Sequence, residues 1–143
     1  MHEMAAHGEL GAWEADAEGA LALVILLDQF PRNMFRGSTR AFATDPLARD
    51  VADRAIARSF DNATERILQP FFYLPFMHSE SLADQDRSLH LYEAFGDAEQ
   101  LRFAAIHRDA VLRFGRFPHR NRVMNRATTP AEQEYLKNGG FAG

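Results

Sequence analysis

Three short stretches hold most of the side chains able to do chemistry. The first is Asp28-Gln29-Phe30-Pro31-Arg32-Asn33 with Arg36, the second is His78-Ser79-Glu80, and the third runs from His107 through Arg113, Arg116, His119 and Arg120 to Asn121. Guanidinium groups grip carboxylate or phosphate oxygens through two parallel bonds. A histidine beside a carboxylate titrates near neutrality, where it can move protons. Together these residue types describe a polar pocket for a small anionic ligand or peptide. Its contacts would come from Asp28, Arg32, Asn33, Arg36, His78, Glu80, Arg113, Arg116, His119, Arg120 and Asn121, with the three stretches converging at helix ends. The alternative is a hydrolase or transferase acting on an anionic substrate in the same pocket, with His78, Glu80 or His107 as acid or base. No GxSxG elbow, phosphate loop or dinucleotide fingerprint supports that chemistry, so the sequence names no reaction.

His78, Glu80, His107 and His119 are also proper ligand types for zinc or iron. No HExxH or other paired spacing on one helix accompanies them, and the expectation is therefore no metal and no cofactor. A purely structural reading accounts for several of the same residues. Asp28 ends an unbroken apolar run of eight residues, Ala20 to Leu27. A helix apolar all round is buried, and a buried carboxylate needs a partner charge or several donors. Asp28 is thus expected to be buried and bonded by an Arg, Asn33 or Asn121. On this reading Asp28 and Glu80 pair with arginines of the RFGRFPHRN segment and fasten two helix ends.

The elements that must position these groups are all helical. The spacing predicts a first helix from Glu3 to Glu14 carrying Leu10 and Trp13 on one face. Gly19 reads as a break or a loose start before the buried helix, which runs from about Glu18 to Phe30 and is ended by Pro31. Asp45-Pro46 reads as an N-cap with proline at the first position of a helix to about Phe60, striped by Leu47, Val51, Ala55, Ile56 and Phe60, with Arg49, Asp53, Arg54 and Arg58 solvated. The segment ERILQPFFYLPFMHSE must kink or restart at Pro70 and Pro75. Ser81 caps the next helix, with Leu82, Leu89, Tyr92 and Phe95 buried and Gly96 as its stop. Asp97 caps Ala98 to about Phe114, whose stripe is Phe103, Ile106, His107, Ala110, Val111 and Phe114. Thr129-Pro130-Ala131-Glu132 is a capping box opening a short last helix that ends near Lys137. No β alternation occurs. The fold class is all-α, six to seven helices in antiparallel hairpins.

Composition narrows the classes further. A chain of 143 residues reads as a single domain over residues 1–143. It contains no cysteine, which excludes disulfides, thiolate metal sites and a cysteine nucleophile. No segment approaches the roughly 20 apolar residues that span a bilayer, and the N-terminus carries no leader pattern, so a soluble cytoplasmic protein without membrane association is expected. The net charge of −4 argues against nucleic-acid binding. Charge is segregated, with five acids and no Lys or Arg in residues 1–20, but seven Arg against the single acid Asp109 in residues 102–126. Lys137 is the only lysine.

The strings LDQFPRNMFRG, AFATDPLA, PFFYLPFMHSE and HRDAVLRFGRFPHRN, in this order and at these separations, resemble the bacterial domain-of-unknown-function family 924. The likeness covers roughly Leu10 to Phe141. It implies an all-helical protein of the tetratricopeptide-like superfamily and carries over no activity. Members of that family usually begin with a further N-terminal helical segment rich in Trp and Phe, which this chain lacks. Its absence would bare apolar surface near Leu10, Trp13 and the start of the buried helix, and a possible homodimer follows from such a patch.

Overall fold

The structure is a computed structural model that describes residues 1–143. It is all-α, with seven α-helices and no strand. The chain divides into two compact units, Met1–Pro75 and Phe76–Gly143.

In the first unit, helix α1 is only His2–Ala6. The longer helix expected there breaks at Gly8, whose φ of +77° reverses the chain. A 3-10 turn, Gly11–Ala15, follows; Leu10 is buried and Trp13 half-buried. Helix α2 spans Ala17–Met34, with the Asp16 carboxylate capping it by accepting from Gly19 N at 2.8 Å. Gly19 therefore lies inside the first turn and is no break. A Cβ on it would fall 2.0 Å from the Trp13 carbonyl oxygen, so only glycine lets the preceding turn pack so closely.

Nor does α2 end at Pro31. The proline lies within the last turn, buried, and the helix runs on to Met34. Proline has no N–H, which leaves the carbonyl of the residue four earlier, Leu27, without its helical donor. Thr44 Oγ1 donates to that carbonyl at 2.6 Å in a buried contact. The cost that normally stops a helix is offset from a neighbouring element, which local sequence rules do not see.

Helix α3 spans Asp45–Ala57 and packs on α2. Its N-cap is Thr44 without a side-chain cap bond, not Asp45, because the Asp45 carboxylate is engaged elsewhere. The buried face is Ala48, Val51, Ala52 and Ala55, whereas Leu47 is exposed. Arg54 and Arg58 are exposed yet not idle: Arg54 holds Glu14 through two bonds of 2.8 Å, and Arg58 donates to the Glu14 and Ala15 carbonyls. As the two prolines require, the chain restarts as a 3-10 turn at Gln69–Phe72 and as α4, Leu74–Met77.

In the second unit, α5 (Leu82–Phe95) and α6 (Ala98–Phe114) form a hairpin joined by Gly96 at φ +87° and the Asp97 cap. Of the apolar face expected on α5, Tyr92 is buried, Leu89 and Phe95 only half-buried. Gln85 and Ser88 are wholly buried beside Tyr92, while Leu82 is exposed. The Gln85 amide donates to the Met77 carbonyl at 2.8 Å, which the end of α4 leaves without a helical partner, and to the Ser79 carbonyl in the following loop at 2.7 Å. On α6 the inward residues are Ala104, His107, Ala110 and Val111, and Phe103 is exposed. A 3-10 turn at Pro118–Arg120 precedes α7, Pro130–Lys137, which opens with the expected Thr129/Glu132 capping box. Ala110, Val111 and Phe117 form a core against which Tyr135 and Phe141 pack. No helix is long and apolar enough to cross a membrane.

Candidate functional site

The residues singled out by sequence fall into a group in each unit. In the first, Asp28 is buried, with 1% of its surface exposed, and the guanidinium meeting it is Arg32, one turn further along α2. Arg32 Nη1 lies 3.3 Å from the Asp28 carboxylate and 2.8 Å from its carbonyl. The same guanidinium takes both Asp45 oxygens at 2.8 and 2.9 Å. Burial works against the charge of Arg32, but the bonds it donates to Asp45 and the field of Asp28 outweigh it and hold Arg32 more firmly protonated than usual. One arginine thus ties the end of α2 to the start of α3. Asn33 bonds only back along its own helix, to the Gln29 carbonyl at 3.2 Å, and Arg36 is exposed. Neither Phe-Pro pair ends a helix: Pro31 lies inside α2, and Pro118 opens a 3-10 turn.

In the second unit a continuous polar network runs through five side chains. Arg126 holds Glu80 in two parallel bonds of 2.9 and 3.0 Å, and the Phe117 N–H donates to the same carboxylate at 2.6 Å. Arg126 Nε donates to Asn121 Oδ1 at 3.1 Å, and Asn121 Nδ2 donates to Glu132 at 3.2 Å. Glu132 is gripped by Arg116 at 2.9 and 2.7 Å while it caps α7 through the Thr129 N–H at 3.0 Å. Burial pushes Glu80 up, but Arg126 and the Phe117 N–H prevail and keep it below its usual range. The Arg116 bonds hold Glu132 far below the carboxylate range. Two carboxylates and two guanidiniums balance, which suits fastening better than proton transfer. The partner that sequence reasoning missed for Glu80 is Arg126, outside the RFGRFPHRN string. The Glu132 of the capping box also has a second duty that its local signature conceals.

The His107 and His119 rings share no hydrogen bond with this network; they gather around the ring of Phe117, whose backbone is bonded to Glu80 and Arg126, and the charges of those two reach His119. His107 and His119 sit 5.7 and 5.8 Å from its centroid, and the Arg120 guanidinium stacks on it at 4.7 Å. Arg120 also donates to the His78 carbonyl at 2.8 Å, which places that residue beside the group. His107 Nδ1 is bonded to the Phe103 carbonyl at 2.7 Å, as a core histidine is. Burial outweighs the pull of that carbonyl and pushes His107 down to about 4; burial and the Arg120 charge push His119 down to about 4. Both rings are therefore neutral near pH 7. The Nδ1 of His119 is shut away from solvent without a hydrogen-bond partner. No three His, Asp or Glu side chains are gathered as a metal ion requires. Arg113 stands separately, stacked on Phe114 and Tyr135 at 5.1 and 5.0 Å, beside an open groove of about 500 Å³ that Glu134, Asn138 and Gly139 also line.

A family model described as "Bacterial protein of unknown function (DUF924)" matches residues 1–140. No curated protein matches the chain. Among solved structures, the protein of unknown function ATU0120 from Agrobacterium tumefaciens is similar, with 53% identity and a TM-score of 0.93 over 96% of this chain and 78% of that one.

Proposed function

The chain belongs to the DUF924 family of bacterial proteins of unknown function, and on that premise we propose that it is a binding module for a small anionic ligand, recognised by His78, His107, His119 and Arg120 in the second unit. The observation that carries this reading is the convergence of two imidazoles and a guanidinium on the single Phe117 ring. The neutral His119 imidazole offers an N–H donor without repelling Arg120, whose charge attracts an oxyanion, while His107, its one N–H already given to the Phe103 carbonyl, contributes only its ring face. The carboxylate-paired arginines Arg32, Arg116 and Arg126 take no part, since each already meets a carboxylate.

Thermal unfolding with added phosphate or acetate, against chloride at equal ionic strength, tests the proposal. A ligand at 100 times its dissociation constant stabilises by about 2.7 kcal/mol. An oxyanion beside His119 raises that imidazole's pKa in the complex, so the stabilisation should grow as pH falls from 7 toward 5. His119→Gln should remove this pH dependence. No shift beyond that given by chloride, at any pH where the protein is folded, would sink the reading.

A further inference from the structure

The last residues of the chain lie against these imidazoles. Gly139, at φ +83°, turns the backbone after α7, and Gly140 N donates to the Tyr135 carbonyl at 2.8 Å. A Cβ on Gly140 would stand 2.5 Å from both the Tyr135 ring and its carbonyl oxygen, so the chain passes here only as glycine. Phe141 N then donates to the Tyr135 hydroxyl at 2.9 Å. The Phe141 ring comes to rest 4.1 Å from His107, 4.9 Å from His119 and 5.8 Å from Phe117. Gly143 lies alongside His119, where an added Cβ would meet the ring at 3.2 Å.

We infer that Phe141 is a built-in occupant of the imidazole site, and that the ligand it stands in for is a planar aromatic carboxylate. The inference rests on the binding role proposed above and names its ligand class. Three rings border the Phe141 ring at angles from 45° to 84°, the tilted and edge-on arrangements that another aromatic ring would find equally favourable. The counter-charge for a carboxylate on such a ring is Arg120, whose guanidinium stacks at 4.7 Å on Phe117, one of the three bordering rings. The occupant is itself removable. Phe141 lies beyond the last helix, is only half-buried, and follows two glycines beside an open groove. A half-buried segment past the last helix opens at lower cost than the packed helices behind it.

An intramolecular occupant competes with an external one, so removing it must tighten binding. Isothermal titration with benzoate, acetate and phosphate is the test, on the wild type, Phe141→Ala and Phe141→Leu. Benzoate is expected to bind Phe141→Ala at least tenfold more tightly than wild type, with Phe141→Leu between them, while acetate and phosphate affinities stay within twofold. If wild type binds acetate or phosphate but neither variant gains for benzoate, the occupant role is overturned and the binding role stands. If none of the three anions binds any form, both fall. Should Phe141→Ala not fold, the comparison of wild type with Phe141→Leu decides alone.

Discussion

Thr44→Val changes one hydroxyl into a methyl of nearly the same shape, and its cost follows from Pro31. The Leu27 carbonyl, four residues before the proline, receives no helical donor and depends on Thr44 Oγ1 at 2.6 Å. Leu27 and Thr44 are both buried, so water cannot substitute. Stranding a buried acceptor costs about 1–3 kcal/mol, which for a chain near 150 residues lowers the melting temperature by roughly 2–4 °C per kcal/mol. A second substitution isolates the cause. Pro31→Ala restores an N–H opposite Leu27, so in that background Thr44→Val should cost well under about 1 kcal/mol, the residue of an ordinary hydrogen bond. Urea titration of the four forms of this cycle, with m-values compared to confirm a common unfolding transition, measures the coupling. Additive costs, within about 0.5 kcal/mol, would show that Thr44 is not serving the proline's orphaned carbonyl.

The two groups of arginines should separate on mutation. Arg32→Leu strands the Asp28 and Asp45 carboxylates and should destabilise by about 3–5 kcal/mol, whereas Arg36→Ala, on the surface, should stay within about 0.5 kcal/mol in the same denaturation assay. Stability should fall on the acid side in two stages. His107 is held at about 4 against an ordinary 6.5, so between those values the unfolded chain binds the extra proton and stability drops as pH falls through this window. Glu132 and Glu80, both held below their ordinary 4.5, lose their contribution only as pH falls below that value. His119, also held at about 4, titrates in the same window, so unfolding free energies measured from pH 7 to 3 on His107→Phe should show the first stage made shallower but not abolished, and the second intact; an unchanged slope between 6.5 and 4 would contradict the neutral assignment of His107.

Caps and turns were largely legible because their signals are local. The Asp97 cap, the Thr129/Glu132 box, the Gly96 stop and the restarts at Pro70 and Pro75 all stand where short-range chemistry places them. Three of the misreadings share one cause, a side chain claimed by a distant partner. Pro31 ends a helix by local rules, and only Thr44 overrides them. Asp45 has the composition of an N-cap, but Arg32 takes its carboxylate. Gln85 spoils an apolar stripe because the carbonyls at and just past the end of α4 need its amide more than the core needs another leucine. At the site, the burial and pairing of Asp28 could be foreseen from its position in an apolar run. The choice of Arg126 for Glu80 could not, since seven arginines lie between residues 102 and 126 and spacing does not rank them.

The Glu80–Arg126 clasp also bears on how fast the second unit comes apart. The two residues flank the α5–α6 hairpin and lie 46 positions apart, so their bonds close a loop around a motif whose own contacts are short in sequence. Local hairpins form early, and long closures are entropically deferred until after the barrier. A contact absent from the transition state sets the unfolding rate and leaves the refolding rate nearly alone. Glu80→Gln should therefore steepen nothing in the refolding arm of a chevron plot while raising the unfolding arm. The clasp then acts as a kinetic brake, lengthening the lifetime of a structure whose formation it does not hasten.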